Sequence, residues 1–453
     1  MQILKKNNIA LLIFFLIVGF FLRYINNFDQ MYWLDEAYTL YLSDPSIPLK
    51  ELTKKIYDID DNPAIYFYIL RFFNYFNYTP ENIRFSSIIF GTLSLLLSLQ
   101  FYKNFLSNEE NFYAFLLLTF NIFLIWQSKE SRISSSVLFF SLLNLIFFFN
   151  YIKKDKKIYS IQLFLINIFV LSYYPFLVTI ILSQIIFVFL NLKKKYFDYF
   201  LITVATIFFY ILFNYDYLLS NLSKDNHIGI FEYKFFFNYF FRSFFGSILL
   251  GGISLIIFTF CFIKIIFKNK KDDFLYFNIL LIIVSYSFVI FYSYFKAGIM
   301  VPRYFIFLIP SIILIIVKII YNHKILRYLY LFITILNTFV IFDDFKIKKP
   351  KLSYLFNNID DELTKNFFVN EGKMLDNYFI KSNLISNKLN YIKKNNLNSV
   401  KKFYFICLNH AEMHVGKNKQ IQDEKKCNIN FKNFNAKSTK KIKDFKIVFF
   451  EKI

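Results

Sequence analysis

Long apolar stretches alternate with short polar ones as far as residue 342, and then the pattern changes. A helix needs about 20 consecutive, mostly apolar residues to cross a bilayer. Stretches of this kind lie at 8–25, 85–104, 111–127, 133–152, 157–173, 175–192, 197–215, 243–267, 274–295, 302–320 and 325–342, and they predict eleven spanning helices. The first follows Lys5-Lys6 and has no small-residue cleavage site behind it, so it reads as an uncleaved anchor rather than a signal peptide. From Asp343 onward, Asn, Lys and Asp are spread among short apolar runs. Residues 402–407 and 445–450 read as strands, and 374–394 has helical spacing. The predicted fold is therefore an all-α polytopic membrane protein, residues 1–342, followed by a small α/β domain over 343–453. That tail is large enough for one modest core.

Composition agrees with the pattern. Hydrophobic residues make up 57% of the chain, 66 of them Phe, where a soluble domain is nearer about 45–50% apolar. The net charge of +22 raises the question of nucleic acid. Topogenesis explains it better, because cytoplasmic loops collect Lys and Arg. With the N-terminus inside, the cytoplasmic loops hold Lys103, the 153–157 cluster, Lys193-Lys194-Lys195, 268–273 and His323-Lys324. The expected location is the cell (inner) membrane, multi-pass, with anionic lipid drawn to the basic inner surface. Residues 26–84, the turn around Glu130, Tyr173-Tyr174-Pro175, 216–242 and 296–303 then face outward, and an odd number of spans puts the C-terminal domain outside as well. No internal repeat is visible.

The outer loops carry the candidate chemistry. Trp33-Leu34-Asp35-Glu36-Ala37-Tyr38-Thr39 follows the first span, and the next span begins only near Arg84. Charge at membrane depth costs several kcal/mol, so such residues usually face a cavity and do chemistry or bind something. A second acidic group, Asp58-Ile59-Asp60-Asp61-Asn62-Pro63, precedes an apolar, aromatic segment at 65–76 that is too short to span and fits an interfacial helix. Pro63 suits a helix start, with Asp60, Asp61 and Asn62 at its positive end; plain N-capping is the alternative reading. A third cluster, Glu130 and Arg132, closes the turn between two spans and reads either as a site or as an interfacial charge pair.

In order along the chain, these segments resemble the GT-C membrane glycosyltransferases, in the branch that includes protein O-mannosyltransferases and the lipid A aminoarabinose transferase. That branch often has a W-x-D-E-A-x-T motif in its first loop, here Trp33 to Thr39. A D-x-H-P-P-L-Y motif follows, here Asp60-Asp61-Asn62-Pro63-Ala64-Ile65-Tyr66. Next come an R-x-x-S-x-x-F-G stretch, here Arg84 to Gly91, an E-A-R-x-Y-like motif, here Glu130-Ser131-Arg132-Ile133, and a P-R-Y motif, here Pro302-Arg303-Tyr304. The series covers about residues 1–320. Asn62 stands where His is common and Ala64 where a second Pro is common; if that His holds a metal in relatives, this chain lacks the ligand.

The resemblance implies a sugar moved from a polyprenyl-phosphate carrier to an extracytoplasmic lipid, glycan or protein acceptor. Such a transfer passes through an oxocarbenium-like transition state and needs a base for the acceptor and cations for the departing phosphate. Asp35 is the candidate base, with Glu36 orienting it or holding the sugar. Arg303, Arg132 and Arg84 are candidates for the phosphate, because guanidinium offers paired donors; snorkelling interfacial residues are the alternative. Asp60, Asp61 and Glu130 complete the candidate substrate contacts. No metal ligand is assigned; the cofactor is left unknown, with a divalent metal open though not indicated by the sequence. In the tail, Cys407, His410, His414 and Cys427 suit zinc by type but match no recognised zinc spacing; a Cys407–Cys427 disulfide and unconnected residues are the other readings. A transporter or flippase would instead place charges in mid-span and break helices with Gly or Pro, and a non-catalytic assembly protein would tolerate loss of Asp35.

Overall fold

The computed structural model of the protein describes residues 6–25, 27, 34–60, 62–154, 156–222, 241–267, 273–295, 301–342, 366–369, 390–392, 399–408, 431, 433–442 and 445–453. The helices among them are α1 (Lys6–Tyr24), α2 (Leu34–Tyr41), α3 (Leu49–Ile59), α4 (Ala64–Asn74), α5 (Pro80–Tyr102), α6 (Asn108–Thr119), α7 (Ile122–Ser128), α8 (Ser134–Lys153), α9 (Lys157–Tyr173), α10 (Val178–Asn191), α11 (Lys193–Phe213), α12 (Tyr215–Leu222), α13 (Phe241–Phe245), α14 (Ile248–Phe267), α15 (Asp273–Phe295), α16 (Ile309–Ile320) and α17 (Lys324–Phe342). Short 3-10 turns, Pro175–Leu177 and Pro302–Leu308, lead into α10 and α16. Each expected span overlaps one of these elements. Among the described residues six helices are long and apolar enough to cross a membrane, and α6 with α7 passes the same test as a pair bent by 57°, a broken span or a re-entrant loop. The remaining expected spans fall on the shorter apolar helices Ile9–Tyr24, Lys157–Tyr173, Pro175–Asn191 and Ile248–Phe260.

The bend has a local cause. Asn121 sits at the break, accepts from the Leu124 amide at 2.9 Å, and donates to the Phe244 carbonyl at 2.9 Å. It caps α7 and ties the break to α13. Helices in lipid approach closely where residues are small, and α5 presents Ser87, Gly91, Ser94 and Ser98 on one buried face. A Cβ at Gly91 would lie 2.1 Å from Ser128 Oγ of α7. Polar side chains join the next helices: Asn144 donates to Asn167 (2.6 Å), Gln184 donates to Asn144 (2.8 Å), and Tyr199 donates to Gln184 (2.6 Å). All four are fully buried, so the chain bonds α8, α9, α10 and α11 where no water competes.

The first outer loop folds into α2, α3 and α4. Pro63 precedes α4 directly, and α4 turns Phe72 outward beside the exposed Tyr75 and Phe76, as an interfacial helix would. Buried Arg71 pins the loop from below, donating to the carbonyls of Asp44, Ile47 and Pro45.

The described tail is a sheet of β1 (Asn366–Val369), β2 (Asn390–Tyr391), β3 (Lys402–Leu408), β4 (Phe434–Ile442) and β5 (Phe445–Lys452), in the order β2-β1-β3-β5-β4. β1 runs parallel to β2 and β3, while β5 runs antiparallel to β3 and β4. The two expected strands are β3 and β5, paired with Phe403 opposite Phe450. The helix expected over 374–394 lies mostly outside the described residues, and at its end the helical spacing misleads: Asn390–Tyr391 pairs with β1 as a strand. β4 carries Lys437, Lys440 and Lys441 on an edge, where charge blunts further pairing but hides the strand pattern. Cys407 is fully buried and disulfide-bonded, which corrects the unconnected reading. His410, His414 and Cys427 lie outside the described residues.

Candidate active site

Three elements meet at one end of the helical bundle: the first turn of α2, the turn between α7 and α8, and the 3-10 turn before α16. Asp35 and Glu36 occupy the first turn of α2, where the helix dipole favours negative charge. They are neighbours in sequence and sit in different surroundings.

Glu36 is buried at 1% exposure and Arg84 at 0%. Arg84 grips both carboxylate oxygens, Nε to Oε1 at 2.9 Å and Nη2 to Oε2 at 2.7 Å, and its Nη1 donates to the Asn27 carbonyl at 2.6 Å. The Ser131 amide (2.9 Å) and hydroxyl (3.1 Å) also donate to Glu36 Oε1. A buried ion pair is tolerated when further hydrogen bonds occupy its lone pairs and donors. This cluster ties α2 to α5, to the turn after α7, and to the chain leaving α1. Lys129 of the same turn is buried and donates to the Ile25 carbonyl at 2.9 Å. Cations thus meet the backbone carbonyls just past α1, at the negative end of that helix.

Asp35 is open by comparison, with its side chain 43% exposed. It pairs with Arg132, and Arg303 Nη1 lies 3.9 Å from the same carboxylate oxygen. Burial first, and then the charge of Arg303, press the Arg132 guanidinium down from arginine's ordinary value. Two guanidiniums crowded on one carboxylate form a setting that an arriving anion relieves. A cavity of about 270 Å³ opens here, lined by Asp35, Glu36, Glu130, Arg132, Pro302 and Arg303 among others.

Five of the residues expected from sequence therefore line one cavity, and Arg84 stands behind them through Glu36. Asp60 does not line it. Its carboxylate accepts from the Asn62 amide (2.8 Å) and side chain (2.7 Å), capping the turn between α3 and α4. Asp61 lies outside the described residues. Tyr66, at the end of the same motif, has a buried hydroxyl with no hydrogen-bond partner. Burial first, and then Tyr173, Asp60 and Glu36, push it well above the ordinary phenol range. Sequence reading missed Phe123, Gln127, Ser243 and Val301, which complete the lining. Gln127 carries the only available signal, an amide at the end of an apolar run; its Oε1 is buried without a hydrogen-bond partner. Among the described residues, no group of three or more His, Cys, Asp or Glu is arranged to hold a metal ion.

The sequence matches no protein-family model and no curated protein. The structure does have relatives. ArnT from Cupriavidus metallidurans in the apo state superposes with a TM-score of 0.56 at 9% identity, covering 98% of this chain and 98% of that one. The same protein bound to undecaprenyl phosphate gives 0.55, again at 9% identity and 98% of both chains. The protein has the GT-C fold, as the ordered motifs implied.

Proposed function

We propose that the protein is an integral-membrane glycosyltransferase that moves a sugar from a polyprenyl-phosphate donor to an extracytoplasmic acceptor. The observation that carries this reading is Asp35, half-exposed between Arg132 and Arg303 in a cavity at the end of the bundle. Undecaprenyl phosphate bound to a structure of the same fold supports the donor class.

The roles follow from charge. In the resting site both guanidiniums face the Asp35 carboxylate and occupy its lone pairs. Arg303, at 3.9 Å, is at the limit of an ion pair and keeps donors for a phosphate. A donor phosphate that draws Arg303 and Arg132 to itself frees the Asp35 carboxylate beside the anomeric carbon. The acceptor oxygen then attacks that carbon while Asp35 takes its proton. The sugar–phosphate C–O bond breaks, and its electron pair leaves on the phosphate, held by the arginines. Glu36 and Arg84 act as positioning residues that fix the first turn of α2. Glu130, Gln127 and Ser243 are left to contact the sugar or the acceptor, while Asp60 caps the turn ahead of α4.

The domain division, 1–342 catalytic and 343–453 C-terminal, and the outward C-terminus are part of the same proposal. The Cys407 disulfide supports it, since disulfides persist in oxidising compartments. A reporter fused after Ile453 should be active outside and one near Lys154 inside; both on one side would break the topology. The test of function is transfer by purified protein in vesicles from a labelled polyprenyl-phosphate sugar, with gene deletion and glycan mass analysis to find the acceptor. Movement of a lipid-linked substrate across the vesicle without transfer would favour the transporter reading.

A further inference from the structure

A second cavity lies at the far end of the bundle. α6 starts beside it and α7 ends at the Asp35 cavity; α16 starts at the Asp35 cavity and ends beside it. The unbroken stretch Pro302–Ile320, 19 residues long, runs from one cavity to the other; a helix of that length rises about 30 Å, the thickness of the hydrocarbon core, so the two cavities are assigned to opposite leaflets. The second has a volume of about 410 Å³. Leu11 of α1, Phe112 and Leu116 of α6 and Leu331 of α17 line its apolar part, and Glu109, Tyr321 and Arg327 its polar part.

The polar part carries two opposite charges that do not neutralise each other. The Tyr321 hydroxyl donates to Glu109 Oε2 at 2.9 Å, while the guanidinium carbon of Arg327 lies 4.5 Å from the centre of the same ring. Tyr328 also meets Arg327, its ring centre 4.8 Å from the guanidinium carbon and its hydroxyl accepting from Nη2 at 3.2 Å. Among the described residues no ion pair joins Glu109 or Arg327 to any partner, whereas neighbouring Glu110 pairs with Lys318 at 3.8 Å. One tyrosine thus spaces a carboxylate and a guanidinium at the mouth of an apolar cleft.

We propose that this cleft binds a zwitterionic aminophospholipid of the leaflet opposite the Asp35 cavity. The phosphate meets Arg327 and the primary ammonium meets Glu109. One acyl chain lies along Leu11, Phe112 and Leu331. A purely anionic headgroup would leave Glu109 repelled, and a choline headgroup offers no N–H to the carboxylate. The binding is independent of the proposed transfer chemistry, since no residue is shared.

The test is delipidated full-length protein in detergent, titrated with phosphatidylethanolamine, phosphatidylcholine or phosphatidylglycerol, with bound lipid counted by native mass spectrometry. Phosphatidylethanolamine should bind at least about tenfold more tightly than phosphatidylcholine, the size of one charge-assisted contact. Glu109→Gln should erase that preference and Arg327→Gln should weaken all phospholipids, while Lys318→Gln, beside the cleft, should change neither. A monodisperse elution profile for each variant separates lost binding from lost folding; were Arg327→Gln to misfold, Glu109→Gln alone still decides the headgroup preference. Equal binding of all three lipids, or tighter phosphatidylglycerol binding unaffected by Glu109→Gln, would overturn the proposal.

Discussion

Two arginine–carboxylate clusters stand side by side at one end of the bundle, one shut and one open. In the shut cluster Arg84 and Glu36 are fully buried, bidentate, and held by Ser131 and the Asn27 carbonyl. In the open cluster Asp35 is 43% exposed and Arg303 33% exposed, with 3.9 Å between them. The residue types are the same and the surroundings are opposite. Where no solvent enters, the pair fixes architecture, because removing either partner strands a buried charge. Where a cavity adjoins, the pair can be parted by a ligand that brings its own charge. The same chemistry thus occurs twice in this chain, once buried to hold the first loop and once open beside a cavity.

The largest effect should come from the shut cluster. Arg84→Met should remove about 3–5 kcal/mol of stability, because Glu36 would remain buried without its cation. Denaturant titration in micelles measures this, and wild-type stability would show that the pair is not structural.

Asp35→Asn should act oppositely, leaving stability nearly unchanged and lowering turnover by about 10²-fold or more, or about 2.7 kcal/mol of barrier. Donor affinity should change less, since the phosphate is assigned to arginine. Near-wild-type turnover would remove Asp35 as the base and turn attention to Glu130.

Gly91 lies two turns along α5 from Arg84, at the approach to α7. Gly91→Ala would press a methyl onto Ser128 Oγ, 2.1 Å from an ideal Cβ, and should cost about 1–3 kcal/mol. Ser128→Gly added to it should recover part of the loss, because the two residues share one contact. Failure of that rescue would mean the helix approach is set elsewhere.

The smallest effect sharpens the open side. Arg303→Lys keeps the charge and loses the fork, so donor use should fall by about tenfold, with Arg303→Ala lower still. Donor-dependent transfer rates for the three proteins are the measurement, and equal rates would take Arg303 out of the site.

Much of the architecture was legible in the chain. Apolar runs long enough to cross a bilayer permit little besides helices, since lipid offers no partner to a free peptide group. The expected spans therefore coincide with helices, and even the bend at Asn121 falls inside a stretch that reads as one span. The tail was less legible. Phe403 and Phe450 announce their strands, but Asn390-Tyr391 carries no strand pattern of its own and is paired only because β1 lies beside it.

The site divides the same way. The sequence alone determined that Asp35, Glu36, Glu130, Arg132 and Arg303 stand at span ends on one face, because span order and loop charge fix which ends share a side. It could not separate Asp35 from Glu36. Adjacent residues on a helix point about 100° apart, so one turn of α2 buries one carboxylate against Arg84 and leaves the other half-exposed beside Arg132. Which is which depends on where Arg84, Ser131 and Arg132 arrive from three other segments of the chain, and only the packed tertiary structure brings those segments together.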